Sequence, residues 1–262
     1  MMLFGKTLVI TGVASGIGRR TAELALQLGA EVIGIDRTRP DQPLGQFLAG
    51  DLSTAEGVAG IVAAIPDGID ALCNVAGVSG QTGAAHTLAV NVFGLKALSE
   101  GLAPKLRQAG AVVNVASIAG YGWRQNIARA RAIARMGGFP DPVRAALDHG
   151  ITDANAYPVS KEILLVWTIL AAHQPLFRAK GIRVNSVSPG PVTTPILTQF
   201  RLVLGDSKVD GDISRVGRPG TAADIAPVIL FLCSDAARWI NGTNIANDGG
   251  LEASLNAEVL DL

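Results

Sequence analysis

Cysteine, charge and long apolar runs are all scarce in this chain, and each scarcity removes a class of protein. Two cysteines, Cys73 and Cys233, occur among 262 residues. That is too few for a disulfide framework or a thiolate metal cluster, so both are expected to be reduced core residues and no metal site is expected. Charged residues make up 17% and cancel to a formal net charge of zero, which leaves no basic surface for nucleic acid or an anionic membrane. No stretch reaches the ~18 consecutive apolar residues that a membrane span requires. The N-terminus enters an apolar run directly, without a basic segment leading into a hydrophobic one, so a soluble cytoplasmic enzyme is expected.

What is abundant suits a buried sheet. Apolar residues make up 48% of the chain, as required by parallel strands covered on both faces by helices, and the length fits one large domain over residues 1–262. Apolar runs recur near Thr7–Ile10, Val32–Ile35, Phe47–Ala49, Ile69–Asn74, Ala111–Val115, Ile182–Ser188 and Thr243–Ala246, mostly with helix-like segments between them. This βαβ rhythm predicts an α/β fold with a doubly wound parallel sheet. Right-handed crossovers then place a ligand crevice at the carboxyl ends of the strands, where Gly12, Asp36, Asp51, Ala76, Ser117 and Pro189 fall. Disorder is expected only in the tail after Leu251.

Two motifs carry chemistry. Thr7–Ile10 is followed by Gly12-Val-Ala-Ser15-Gly16-Ile17-Gly18 and then by helical periodicity from Arg19 to Leu28. A strand, a glycine-rich turn and a helix deliver a phosphate to free backbone amides at the positive end of the helix dipole. Tyr157 and Lys161 are four residues apart on a predicted helix and so share one face. A tyrosine that takes an alcohol proton near neutral pH must be brought down from a pKa of about 10, and the Lys161 ammonium is expected to do this.

Thr11 to Gly18, Asn74-Val-Ala-Gly77, Asn91, Ser117, Tyr157 with Lys161, Pro189-Gly190 and Asp248-Gly-Gly250 together resemble the short-chain dehydrogenase/reductase family, over about residues 6 to 250. The resemblance implies a Rossmann-type fold and an NAD-dependent oxidoreductase, an alcohol dehydrogenase or carbonyl reductase. It makes Tyr157 the general base, Lys161 its partner and a ligand of the nicotinamide ribose, Ser117 the holder of the substrate oxygen, and Asn91 the support of a water leading from Lys161 to solvent. Around the cofactor it places Gly12, Ser15, Gly16, Ile17 and Gly18 at the phosphates, Asp51 and Leu52 at the adenine, and Asn74, Ala76 and Gly77 along the adenosine. Pro189, Gly190, Val192 and Thr194 fall at the nicotinamide side. Asp36, at the end of the second strand, can accept both ribose hydroxyls and would repel a 2′-phosphate; with Ser15 it favours NAD, although the neighbouring Arg37 could partly accommodate the phosphate of NADP. Val75 and Ala116 depart from the usual Asn and Ser of the family motifs without removing a proton-handling group.

Ser117 and Tyr157 are 40 positions apart, several times the family's usual interval, so a helical insert over about 122–155 precedes the catalytic tyrosine. Trp123–Met136 and Val143–His149 look helical, separated by Gly137-Gly-Phe-Pro140. Arg124, Arg129, Arg131, Arg135 and Arg144 crowd this insert, either as a solvated face or to bind an acidic substrate group. An added helical pair would obstruct packing of the tyrosine helix against a second copy, so a dimer through about Ala222–Ala246 is expected rather than a tetramer. Val78, Ile118, Trp123, Leu197 and Phe200 are candidate substrate walls, and the apolar segment after Pro195 suggests a ring-containing alcohol or ketone. The motifs most resemble the family branch of coniferyl-alcohol dehydrogenase and 3α-hydroxysteroid dehydrogenase/carbonyl reductase, and the segment after Pro189 leans toward an aromatic or allylic alcohol. A non-catalytic cofactor sensor or scaffold is the rival class; such a chain would usually lack at least one of Ser117, Tyr157 and Lys161.

Overall fold

In the computed structural model, which describes residues 3–42 and 44–262, the predicted apolar runs become strands. The first half runs β1 (Thr7–Thr11), α1 (Gly16–Gln27), β2 (Glu31–Asp36), β3 (Gln46–Ala49), α2 (Ala55–Ala64), β4 (Ile69–Asn74), α3 (Ala84–Leu88), α4 (Leu95–Leu102) and β5 (Leu106–Val115). The insert contributes α5 (Ile127–Ala134) and α6 (Pro142–Asp148), followed by α7 (Ala156–Ala171), α8 (Pro175–Arg178) and β6 (Arg183–Pro189). An arm follows, made of β7 (Val192–Thr193), α9 (Pro195–Leu204), α10 (Asp206–Val216) and β8 (Gly220–Thr221). The chain closes with α11 (Ala222–Cys233), β9 (Asn244–Asn247) and α12 (Leu251–Leu260).

Seven strands form one parallel sheet in the order β3-β2-β1-β4-β5-β6-β9. The order reverses between β1 and β4, which opens a crevice at their carboxyl ends. Successive side chains of a strand point to opposite faces, and both faces here are dry. Val9 joins a core with Leu72, Phe93 and Trp167 beneath α2, α4 and α7, whereas Leu8 and Ile10 join Ala22 and Ile229 beneath α1 and α11. Each fully buried aliphatic side chain contributes about 1.5–3 kcal/mol. Cys73 and Cys233 lie in the second core as free thiols with their Sγ atoms 3.4 Å apart, and the neighbouring thiol together with burial pushes the Cys73 thiol well up. No helix among the described residues is long and apolar enough to cross a membrane.

The expected strand boundaries hold to within a residue or two except at β5, which begins at Leu106 rather than Ala111, and the helix expected over Trp123–Met136 is shorter, α5 starting only at Ile127 after a 3₁₀ turn that ends at Arg124. Of the residues added to β5, Arg107, Gln108 and Ala109 are exposed, and Leu106, buried opposite Ile69, is separated from the Ala111 run by a register shift, so no continuous apolar run marks them. The tail after Leu251 is also corrected: it is helical, with Leu251 fully buried. Asp248 caps it, its carboxylate accepting the amides of Gly250 at 2.9 Å and Glu252 at 2.8 Å. The β7–β8 pair, Val192 with Gly220 and Thr193 with Thr221, clips the base of the α9–α10 arm together.

The insert is pinned to the body by two buried charges from outside it. Lys96 of α4 is 2% exposed and donates to the carbonyls of Ala134 at 2.7 Å and Met136 at 2.6 Å, capping the C-terminal end of α5. Burial pulls its pKa down while Glu100 opposes that shift. Glu162 of α7 accepts Asn126 Nδ2 at 2.7 Å and faces Arg129 at 3.4 Å.

Candidate active site

Tyr157 lies in the first turn of α7, where Pro158 is tolerated because an amide there has no carbonyl partner within the helix. One turn later Lys161 faces the same way, its Nζ 5.6 Å from the Tyr157 ring centre and donating to the Val115 carbonyl at 2.9 Å. Ser117 follows the end of β5 and caps a 3₁₀ turn (Ile118–Arg124), its Oγ accepting the Ala119 amide at 3.1 Å. The sheet and α7 thus bring Ser117, 40 positions back in sequence, beside the Tyr157–Lys161 pair. Their electrostatics differ from expectation. Burial pushes Tyr157 up to about 12, against a lowering hydrogen bond from Ser117, and pulls Lys161 down to about 8. In this arrangement desolvation, not the ammonium, decides the direction of the phenol shift.

Asn91 sits in a single π-helical turn (Ala89–Gly94) between α3 and α4. Its Oδ1 accepts the Val78 amide at 2.8 Å, and its Nδ2 donates to the Val78 carbonyl at 3.0 Å and to Ser160 Oγ at 3.1 Å. Ser160 in turn donates to the Tyr157 carbonyl at 2.7 Å. Asn91 therefore ties the loop after β4 to the tyrosine helix from beneath the cleft.

A cavity of about 550 Å³ opens over this cluster, lined by Ser117, Tyr157 and Lys161 together with Ile17, Gly77, Val78, Ile118, Pro189, Gly190, Val192, Thr194, Leu197 and Phe200. The Phe200 ring packs on Tyr157 with centres 4.6 Å apart. A second cavity of about 470 Å³ adjoins it, sharing Ile17, Gly77, Val78 and Thr194, and is lined by Gly12, Ser15, Gly16, Gly18, Asp36, Arg37, Asp51, Leu52 and Ala76. Its floor is the glycine turn. Gly12 has φ +78°, and a Cβ there would lie 3.0 Å from the backbone of Ala76, whereas one on Gly18 would lie 2.1 Å from the Gly12 carbonyl oxygen. Thr11 Oγ1 holds the facing loop by accepting the amides of Val75 and Ala76, both at 3.0 Å. Asp36 braces the turn, accepting the Ala14 amide at 3.0 Å and the Thr38 amide at 3.0 Å, and keeps acceptor capacity toward the cavity. Burial pushes Asp51 up, but hydrogen bonds from Ser53 and the charges of Arg37 and His86 outweigh it and hold the carboxyl below its usual range. Close-packed backbone, a helix N-terminus and a carboxylate at the end of β2 fit a dinucleotide.

Two expected site residues lie elsewhere. Asn74 is buried behind the crevice, donating to Ser99 Oγ and Asn114 Oδ1, both at 2.9 Å, so it braces β4 against α4 and β5 rather than lining the cofactor cavity. Trp123 packs against the core with Arg124 stacked 4.4 Å from its ring centre, and Tyr121 and Gly122 take the wall position instead. None of the five insert arginines lines the cavity: Arg129 pairs with Glu162, Arg144 with Asp148, and Arg131 and Arg135 face solvent. That favours structural and solvated roles over binding of an acidic substrate group. Leu251 and Leu255 of α12 line the cavity and were missed, because nothing in the tail itself shows which part of the body it packs on. Ser79 and Gln199, which meet at 2.9 Å across the second cavity, were missed as well.

A dinucleotide cleft opening onto a Ser–Tyr–Lys cluster defines a nicotinamide-dependent oxidoreductase. Residues 6–129 match the family model described as short chain dehydrogenase, and residues 145–252 match that described as enoyl-(acyl carrier protein) reductase. The chain is 38% identical to coniferyl-alcohol dehydrogenase of Pseudomonas sp. strain HR199 over 97% of its own length and 99% of the relative's. It is 31% identical to 3-alpha-hydroxysteroid dehydrogenase/carbonyl reductase of Comamonas testosteroni over 94% of its own length and 96% of the relative's. Among solved structures, 3-alpha-hydroxysteroid dehydrogenase from Pseudomonas sp. B-0831, complexed with NADH, superposes with a TM-score of 0.84 at 32% identity, covering 97% of this chain and 99% of that one. The chain belongs to the short-chain dehydrogenase/reductase family.

Proposed function

We propose that this protein is an NAD-dependent alcohol dehydrogenase/carbonyl reductase acting on an aromatic or allylic primary alcohol or a secondary alcohol, with a coniferyl-alcohol-like substrate favoured. The observation that carries this reading is the convergence of Ser117, Tyr157 and Lys161 at the end of a largely apolar cavity that adjoins the dinucleotide cleft. Bound nicotinamide supplies the hydride acceptor. The chain handles the proton: Tyr157 takes it from the alcohol, Ser117 holds the substrate oxygen, and the Lys161 ammonium supports the charge that develops on the phenol. A phenol pushed up to about 12 stays neutral until hydride leaves, so it depends on the Lys161 ammonium, and that support should fade as pH rises through about 8.

The carboxylate of Asp36 supports NAD over NADP, through acceptance of ribose hydroxyls and repulsion of a phosphate. The higher identity to the coniferyl-alcohol enzyme supports an aromatic alcohol. The close superposition on the hydroxysteroid enzyme supports a 3α-hydroxysteroid as second reading. The test is NADH formation from NAD⁺ with coniferyl alcohol and, separately, with a 3α-hydroxysteroid, using Tyr157→Phe as control. Turnover of either that falls by about 10²–10⁴ in the variant, with NADH binding retained, supports the assignment. NADH binding without turnover of either alcohol overturns the substrate reading and favours a cofactor sensor. Trp239, 97% exposed within Ala222–Ala246, supports a dimer through that segment, and light scattering that gives a tetramer refutes it.

A further inference from the structure

The C-terminal helix is held over the substrate cavity from two sides. Leu251 and Leu255 line the cavity from α12, and Tyr121, which lines it from the turn after Ser117, donates its hydroxyl to Asn256 Oδ1 at 2.8 Å. From the other side Arg215, in the last turn of α10, donates Nη1 to Glu258 Oε1 at 2.6 Å and to Ser254 Oγ at 3.0 Å. Residues 251 and 255 form one stripe of α12, and 254 and 258 the adjacent one, so the helix shows the cavity one stripe and Arg215 the next. The α9–α10 arm to which Arg215 belongs behaves as one piece. Arg201 of α9 bridges to Asp206 at 3.2 Å and Asp210 at 2.7 Å, and the arm brings Leu197, Phe200 and Val209 to the cavity. Its other side-chain hydrogen bonds to the body among the described residues are Ser79 to Gln199 at 2.9 Å, on the cofactor side, and those at its base, where Arg218 and Thr221 meet Asp224 of α11.

We propose that Arg215, with Glu258 as its partner, is a positioning residue that sets the separation of the two outer walls of the substrate cavity and thereby selects long apolar alcohols over short ones. The inference rests on the reading of this cavity as the alcohol site. The pair is partly exposed, with 34% of the Arg215 side chain and 58% of the Glu258 side chain accessible, so it is weak and screened by salt. A weak clasp suits a wall that must part to admit substrate. Because the Ser79–Gln199 bond secures the cofactor side separately, loss of the clasp should loosen the substrate cavity and leave the dinucleotide cleft intact.

The test compares wild type with Arg215→Met, Glu258→Gln and the rescue variant Arg215→Lys. The readouts are KM and kcat for coniferyl alcohol and for allyl alcohol, NADH affinity, and hydrogen–deuterium exchange across residues 206–216 and 251–260. For Arg215→Met and Glu258→Gln we expect KM for the long alcohol to rise about two- to fivefold, the range carried by an exposed ion pair, with kcat, allyl-alcohol KM and NADH affinity unchanged. Exchange should increase in both helices, Arg215→Lys should recover part of the effect, and high salt should move wild type toward the variants without moving the variants. Equal changes for both alcohols, or exchange unchanged in both helices, overturns the proposal. If neither alcohol is turned over, the alcohol reading fails on the activity arm while the exchange arm still decides whether Arg215 fastens α10 to α12.

Discussion

Replacing Lys161 with methionine is expected to raise stability while removing activity. The ammonium is buried at 5% exposure and donates to a single acceptor, the Val115 carbonyl. Burial draws its pKa from 10.5 to about 8, and a shift of that size is a cost of about 3 kcal/mol at pH 7, where both folded and unfolded chains carry the proton. Methionine fills similar space without charge and forfeits a hydrogen bond worth about 1 kcal/mol, leaving a net gain of about 2 kcal/mol. For a chain of this size that is about 4–8 °C in melting temperature. The sign with pH follows from a folded pKa below the unfolded one. Between pH 8 and 10.5 the unfolded chain holds more protons, so wild-type stability rises with pH, and the contribution is lost again as pH falls through 8. Tyr157 works in the opposite sense. Its pKa is raised from 10 to about 12, so the stability it contributes is fully present below 10 and lost as pH rises through 12, outside the range to be assayed. Urea unfolding of both proteins at pH 7 and pH 9.5 should show the variant ahead at the lower pH and the gap closing to under about 1 kcal/mol at the higher. A variant less stable than wild type at pH 7, or a gap independent of pH, would refute the view that desolvation dominates at Lys161.

Three further outcomes can be checked. Gly18→Ala places a Cβ 2.1 Å from the Gly12 carbonyl, backbone against backbone, and should lower stability by about 1–3 kcal/mol and abolish NADH binding in a fluorescence titration. Asp36→Ser removes the carboxylate facing the cleft and should shift the kcat/KM ratio toward NADP by about tenfold, equivalent to about 1.4 kcal/mol; an unchanged ratio would assign cofactor choice to Arg37 instead. Asn91→Ala leaves both the amide and the carbonyl of Val78 without their side-chain partner, a loss of about 2–4 kcal/mol in urea unfolding with kcat reduced more than NADH affinity.

The strands were readable because a parallel sheet dry on both faces writes itself as aliphatic runs, and Leu8-Val9-Ile10 needs no context to be recognised. Tyr157 and Lys161 were readable because helix spacing alone puts them together, and Asp36 because it ends a strand. What failed depended on partners distant in sequence. Asn74 and Trp123 were expected at cavities by position, but side-chain direction turns each into the core, toward Ser99 and Asn114 in one case and the core beneath α7 in the other. The depressed Tyr157 pKa was expected from the charge of a neighbour, whereas the outcome is set by how completely Phe200 and the surrounding elements exclude water. The α12 wall went unseen because its anchors, Tyr121 and Arg215, lie far back along the chain.

The contact between Lys96 and the end of α5 bears on how this chain could be altered. The insert reads in sequence as a module that could be shortened or exchanged to change specificity, yet the carbonyls of Ala134 and Met136 are what accept this buried ammonium. Excising the insert would strip this ammonium of both carbonyl acceptors and of the packing from α5 that buries it, leaving Glu100 as its nearby opposite charge and opening an apolar face far from the edited segment. Grafts at this position should therefore be paired with a choice at residue 96, so that a loss of stability traced to Lys96 is not charged to the new loop.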